Sequence, residues 1–194
     1  MTVAPRRIVV GLSGGIAAYK ALEVVRELTR AGMSVRTVMT ESATRFVGPV
    51  TLTGLTGTPA VVDLWDDRVA GEIHVELGSW ADAMVVAPAT MNLLGRVASG
   101  LPDDALTATL ACMRGPVLFA PAMHTRMWHQ GSTQRNVRTL RADGFHFVGP
   151  VDGPLASGES GMGRMAEPRD IVAALLGLLD APRDLEGMTI LVTA

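Results

Sequence analysis

Short apolar runs, most of them stopped by glycine or proline, constrain this chain more than any other feature. Ile8-Val9-Val10-Gly11-Leu12 stops at Ser13-Gly14-Gly15, Ala83-Met84-Val85-Val86-Ala87 at Pro88, and Val117-Leu118-Phe119-Ala120 at Pro121. Runs so short and so continuously apolar predict strands covered on both faces, as in a parallel sheet between two helical layers. Val35-Arg36-Thr37-Val38-Met39 and Phe145-His146-Phe147-Val148 add further strands. Helical segments lie between. In Ala17 to Arg30, Leu22, Val25 and Leu28 recur at three-residue spacing, and Gly32 is placed to cap the end. Helices are also predicted from about Pro49 to Gly57, Leu93 to Ser99, Ala105 to Met113 behind the N-cap candidates Asp103-Asp104, Gln130 to Arg141, and Glu167-Pro168 through Leu179. The alternation predicts an α/β fold: a doubly wound, flavodoxin-like or Rossmann-like parallel sheet flanked by helices, with right-handed crossovers.

Two stretches fit this pattern less well. Between Ala60 and Gly78, Val61-Val62-Asp63-Leu64-Trp65 reads as a short strand. In Glu72 to Leu77 the alternation of Ile73, Val75 and Leu77 with polar neighbours reads as a half-buried strand, with His74 turned away from the apolar set. Gly149 to Met165 has no periodicity and contains Gly149, Gly153, Gly158, Gly161 and Gly163; a loop of that length is functional or disordered.

Composition excludes several classes. A chain of 194 residues is long enough for one well-buried domain. With 17 basic and 19 acidic residues it lacks the basic footprint of a nucleic-acid binder and gives no electrostatic reason to expect a membrane surface. No segment approaches the roughly 18 apolar residues of a membrane span, and the N-terminus lacks a signal-peptide core, so a cytoplasmic location is expected. The lone Cys112, read as a small buried hydrophobe, allows no disulfide framework within one chain, and no His/Asp/Glu cluster has metal-ligand spacing. Lys20 is the sole lysine, a bias with no functional reading of its own.

In a doubly wound sheet, ligands bind outside the carboxyl ends of the strands. That rule selects Ser13 to Gly15, Thr40 to Ala43, Pro88 to Asn92 and Pro121 to Trp128. Ser13-Gly14-Gly15 ahead of a helix offers backbone N–H groups, the positive helix end and the Ser13 hydroxyl to a phosphate; the other reading is a tight turn that needs glycine. Thr40 and Ser42 are hydroxyl donors or helix caps. Met123, Met127 and Trp128 crowd into a segment that would hold a flat apolar ligand or open a helix from the core. His74 is a general-base candidate or a structurally bonded histidine; His129 and His146 read as structural.

Together these residues resemble the homo-oligomeric flavin-containing cysteine decarboxylases, and among them the phosphopantothenoylcysteine decarboxylases of coenzyme A biosynthesis. The resemblance rests on Gly11 to Lys20 (GLSGGIAAYK), His74 in IHVEL, Ala87 to Asn92 (APATMN), and Pro121 to Trp128 (PAMHTRMW) against the family's P-x-M-N-x-x-M-W. A fifth segment, Leu155 to Met165 (LASGESGMGRM), resembles a substrate-recognition flap in which ACG precedes G-x-G-R-M. Leu185 to Ala194 is similar to the start of the ligase domain fused to this decarboxylase in many bacteria. Residues 1–180 are therefore expected to form the flavoprotein decarboxylase domain, and 181–194 a linker and the first strand of a truncated ligase domain.

The resemblance implies FMN, with its phosphate near Ser13, Gly14 and Gly15, further contacts from Thr40, Ser42, Thr90, Met91 and Asn92, and the isoalloxazine near Met123. It implies trimers whose interfaces complete each flavin site, assembled into a dodecamer. In the family reaction the flavin oxidises the cysteinyl side chain to a thioaldehyde, carbon dioxide leaves, and the enethiolate is reduced to 4′-phosphopantetheine. His74 would assist proton removal at the thiol. His124 and Met127 would bind substrate, and the flap, through Ala156, Gly158, Arg164 and Met165, would close over it. The chain departs from the family in two places. His124 stands where an asparagine binds the substrate carboxylate, and histidine keeps a donor. Ser157 stands where a cysteine protonates the enethiolate, and a hydroxyl is a far weaker acid. Two other outcomes follow from the same resemblance: a flavin-binding regulatory subunit without catalysis, and an oxidative decarboxylase of peptide C-terminal cysteines.

Overall fold

Alternation within each short strand decides which residues meet which helical layer. A computed structural model describes residues 5–65 and 71–180. In chain order it contains β1 (Arg7–Leu12), α1 (Ala18–Arg30), β2 (Ser34–Met39), a 3-10 turn (Glu41–Arg45), α2 (Pro49–Thr56), α3 (Ile73–Trp80), β3 (Ala83–Ala89), α4 (Met91–Ala98) and α5 (Ala105–Ala111). Then follow β4 (Val117–Pro121), α6 (Thr125–Trp128), α7 (Gly131–Ala142), β5 (His146–Phe147) and α8 (Pro168–Leu179). The strands pair in parallel in the order β2-β1-β3-β4-β5. That is the flavodoxin-like order, so the predicted fold class holds.

Ile8, Val10 and Leu12 of β1, with Val85 and Leu118, join one core against α1 and α8; Val9, Met84, Val86 and Phe119 join the other, against α4, α5 and α7. Phe119 is fully buried, and its ring lies 5.3 Å from that of Phe145 and 5.4 Å from that of Phe147. On α1 the buried set Ala18, Ala21, Val24, Val25 and Leu28 keeps helical spacing, and Gly32 follows in the left-handed region at φ 80°.

Four expectations change. Glu72 to Leu77 is not a strand: Ile73 opens α3, and Leu77 is 1% exposed while Val75 is 39% exposed. Strand alternation would place Ile73, Val75 and Leu77 on one face. Here Ile73 and Leu77, four apart on a helix, share the buried stripe and Val75 falls outside it. Val61 makes a single parallel bridge to Val38 in place of a strand through Trp65. The strands also run through their prolines. After a register shift beyond Val86, Ala89 pairs with Pro121; proline lacks only the donor, and the Pro88 carbonyl still accepts from the Ser13 N–H at 3.3 Å. Cys112 is half-buried at the C-terminal cap of α5.

The aperiodic segment after β5 is a hairpin-like flap, bridged antiparallel at Val151–Arg164 and Pro154–Ser160. The strand expected at Met188 to Ala194 lies outside the described residues. No helix among the described residues is long and apolar enough to cross a membrane.

The placement of α3, which carries His74, depends on Gly78. A Cβ there would come within 2.5 Å of the Cys112 carbonyl oxygen and 2.7 Å of the Cys112 Cβ, so α3 and the end of α5 meet backbone to backbone. Gly78→Ala is expected to destabilise the fold by about 1–3 kcal/mol, as other overpacking substitutions do. A urea midpoint equal to that of the parent would refute this account of the α3–α5 contact.

Candidate functional site

The carboxyl ends of β1 and β3 are tied together by one buried hydroxyl. Ser13, 1% exposed, donates from Oγ to the Pro88 carbonyl at 2.7 Å and accepts from the Thr90 N–H at 3.0 Å. Thr90 in turn caps α4, and its Oγ1 also lies 3.0 Å from Ser13 Oγ. Ser13 Oγ thus has Pro88 and Thr90 as its partners and shapes the seam, while Gly14 and Gly15 supply backbone. Gly14 is required there, because a Cβ would meet the Ser42 Cβ at 2.5 Å and the Ser42 carbonyl carbon at 2.9 Å. Thr40 caps the 3-10 turn by accepting from the Ala43 N–H at 3.2 Å, so its side-chain oxygen serves the turn.

Two clefts flank this seam. The first, about 670 Å³, brings together Gly14, Gly15, Thr90, Met91, Asn92, Met123, His124, Met127, Ala156, Ser157, Arg164 and Met165. The second, about 700 Å³, is lined by Ser13, Gly14, Thr40, Ser42, Thr90 and Asn92, and by residues the sequence did not single out, among them Trp65 and Arg96. Gly14, Thr90 and Asn92 border both, so a ligand lying across the seam would touch four strand ends. Arg96 holds Asp104 at 2.8 Å from Nη1 and Asp103 at 2.8 Å from Nε. Its hydrogen bond keeps the Asp103 carboxyl below the usual carboxylate range, against a small opposing effect of burial.

The flap closes the first cleft by docking on the loop after β4. Met123 N–H donates to the Gly163 carbonyl at 2.9 Å, and a Cβ on Gly163 would come within 2.2 Å of the Met123 oxygen. Gly161 lies against the Thr125 side chain, whose Oγ1 a Cβ would meet at 2.5 Å. At the tip, Leu155 and Gly158 bracket Ala156-Ser157: the Gly158 N–H donates to Leu155 O at 3.0 Å, and Gly158 has φ 85°. Gly158 therefore makes the turn and does not line the cleft.

His124 is held from both sides. Its Nδ1 accepts from the Arg126 N–H at 3.2 Å, which assigns the hydrogen to Nε2, and Nε2 lies 2.9 Å from Glu159 of the flap. The donor that the resemblance gives to a substrate carboxylate thus already faces a carboxylate. Also lining the cleft, Lys20 has its Nζ 3.2 Å and 3.3 Å from the two oxygens of Glu167, which also pairs with Arg164. The Lys20 hydrogen bond, outweighing slight burial, and the charges of Lys20 and Arg164 hold Glu167 below the usual carboxylate range.

Among the described residues His74 lines neither cleft. It sits half-buried on α3, and its buried Nδ1 has no hydrogen-bond partner among them. Lys20 and Tyr19 do line the first cleft. Their signal was position, in the first turn of the helix that follows the glycine turn.

Parallel strands in the order 2-1-3-4-5, with paired clefts at their carboxyl ends, define the flavodoxin-like class of α/β ligand-binding folds. Within it, the chain belongs to the Flavoprotein family, whose model matches residues 2–180. It is 50% identical over 194 residues to the coenzyme A biosynthesis bifunctional protein CoaBC of Mycobacterium tuberculosis, covering 98% of this chain and 46% of that protein. The Haemophilus influenzae CoaBC is 40% identical over 190 residues, 97% of this chain and 48% of that protein. The chain thus spans about half the length of the curated relatives it matches. Among solved structures it is similar to the FMN-dependent cysteine decarboxylase SpaF, with a TM-score of 0.80 at 34% identity over 93% of this chain and 100% of that one. It is also similar to a PPC decarboxylase mutant complexed with pantothenoylaminoethenethiol, with a TM-score of 0.79 at 31% identity over 89% of this chain and 97% of that one.

Flap docking gives a direct test. Gly163→Ala, with its Cβ against a backbone carbonyl, is expected to lift the flap and speed limited proteolysis between Asp152 and Gly161 several-fold. Cleavage at the parent rate would contradict the docking geometry.

Proposed function

We propose that this chain catalyses the FMN-dependent decarboxylation of 4′-phosphopantothenoylcysteine to 4′-phosphopantetheine, as a cytoplasmic enzyme of coenzyme A biosynthesis. The observation that carries the reading is the first cleft, where the glycine turn of β1, the Met123 loop and the Ala156–Met165 flap line one space. The residues fit FMN. Gly14 and Gly15 line the cleft without side chains, α1 begins directly behind the same turn, and Met91 and Met123 offer an apolar wall. Bound there, FMN supplies the two-electron oxidation of the cysteinyl side chain that makes its carboxylate a leaving group, and then returns the electrons.

The chain's own residues bind, orient and exclude water. His124 Nε2 donates to the substrate carboxylate in place of Glu159, and Met127 and Met165 pack on the cysteinyl end. The flap tip covers it, and Ser157 faces the cleft where a proton must be delivered. His74 removes the thiol proton. Because His74 lines neither cleft of its own chain among the described residues, it serves a neighbouring copy, which agrees with trimers that complete each site and assemble into a dodecamer. In the longer protein a phosphopantothenate–cysteine ligase domain would follow and supply the substrate.

One observation favours a second reading. With Ser157 at the flap tip in place of a thiol, the reaction would end at the enethiol, as an oxidative decarboxylase of C-terminal cysteines does. Product mass separates the two: loss of carbon dioxide alone supports the coenzyme A route, and loss of carbon dioxide plus two hydrogens supports the second. Purified protein is expected to release carbon dioxide from 4′-phosphopantothenoylcysteine, and His74→Asn to lower kcat by about 100-fold or more with FMN retained. A flavin-loaded parent that releases none would leave a regulatory flavoprotein as the reading.

A further inference from the structure

The chain's only lysine stands in the first cleft beside an arginine, a placement the decarboxylation chemistry does not use. Lys20, on the first turn of α1, keeps 18% of its side chain exposed, and Arg164, on the flap, keeps 36%. Both reach the same carboxylate, Glu167. Lys20 and Arg164 line the cleft, no aspartate or glutamate does so among the described residues, and Glu167, outside the lining, pairs with both. Two cations against one anion leave an uncompensated positive charge at one place in an otherwise mostly apolar space. The cations come from different segments, one on a core helix and one on the flap, so an anion between them would fasten the flap to the body. A phosphomonoester matches this arrangement: it carries more than one negative charge near neutral pH and has several acceptor oxygens for ammonium and guanidinium donors. Glu167 holds the two side chains in place while no anion is present, which lowers the ordering cost of binding.

We propose that Lys20 and Arg164 form the subsite that takes the phosphomonoester end of the substrate, with Glu167 positioning both cations. The proposal rests on the decarboxylase reading above and adds the source of selectivity: His124 grips the carboxylate end, and the Lys20–Arg164 pair selects phosphorylated over unphosphorylated acyl-cysteines. The flap is thereby coupled to the phosphate, because one of the two cations belongs to it.

The test compares 4′-phosphopantothenoylcysteine with pantothenoylcysteine on the FMN-loaded protein. The parent is expected to prefer the phosphorylated substrate in kcat/KM by about 10- to 100-fold, expressed mainly in KM, and Lys20→Met to bring that ratio close to one. Lys20→Arg is expected to keep most of the preference. Calorimetry with 4′-phosphopantothenate against pantothenate reads the same subsite without turnover, and only the phosphorylated compound is expected to lose affinity in Lys20→Met. If the parent turns over neither substrate, the decarboxylase reading fails while calorimetry still decides the subsite. Three results would overturn the subsite: equal affinity of the parent for both compounds, a Lys20→Met loss that is the same for both, or loss of FMN in Lys20→Met with the phosphate preference intact, which would assign the cations to the flavin phosphate.

Discussion

The bond from Ser13 Oγ to the Pro88 carbonyl, with the Thr90 N–H returned to Ser13, is the contact on which the site depends. It uses the hydroxyl as donor and acceptor at once, in a position 1% exposed to solvent. Removing the hydroxyl would leave the Thr90 N–H unpaired, at a cost of about 1–3 kcal/mol, while the Pro88 carbonyl keeps the Ser13 N–H. Its structural effect is larger than its energy. By joining the ends of β1 and β3 it fixes the angle between the glycine turn before α1 and the start of α4, and those two turns separate the clefts. Gly14 then allows the 3-10 turn after β2 to close against the seam. Three strand ends thus become one rigid wall.

The fourth strand end meets the flap on the same principle of close backbone approach. Gly161 and Gly163 let the flap lie directly on Met123 and Thr125, while its side-chain contacts, Glu159 with His124 and Arg164 with Glu167, are half exposed and exchangeable. Exposed pairs of this kind contribute little to stability. They are suited to being replaced by a ligand's charges, a carboxylate at His124 and a phosphate at Lys20 and Arg164. The glycine contacts thus hold the flap by its backbone, and the exposed side-chain pairs are its exchangeable contacts.

Much of this is legible in the sequence. The five strands, the helices around them and the four carboxyl-end segments follow from apolar runs and their glycine or proline stops, because a strand buried on both faces has little freedom of composition. The segment around His74 does not follow. Ile73-His74-Val75-Glu76-Leu77 alternates like a strand, and five residues are too few to separate a period of two from a helical one; in the fold the segment is α3, packed through Gly78 on Cys112. The role of Ser13 is also hidden, since nothing in the chain says that its hydroxyl will find Pro88 rather than a ligand. The Lys20–Arg164 pair brings together residues 144 apart in sequence, a juxtaposition that only the fold supplies.

The central claim is that the seam at Gly14 is a flavin platform, and FMN titration of the apo-protein tests it most directly. The account predicts saturable binding by the parent, with the visible flavin band shifted on binding. It predicts that Gly14→Ala, whose Cβ would collide with Ser42 at 2.5 Å and push the 3-10 turn off the seam, loses at least about 10-fold in affinity while circular dichroism shows an intact fold. Binding of FMN by Gly14→Ala with the parent's affinity and spectrum would contradict the account.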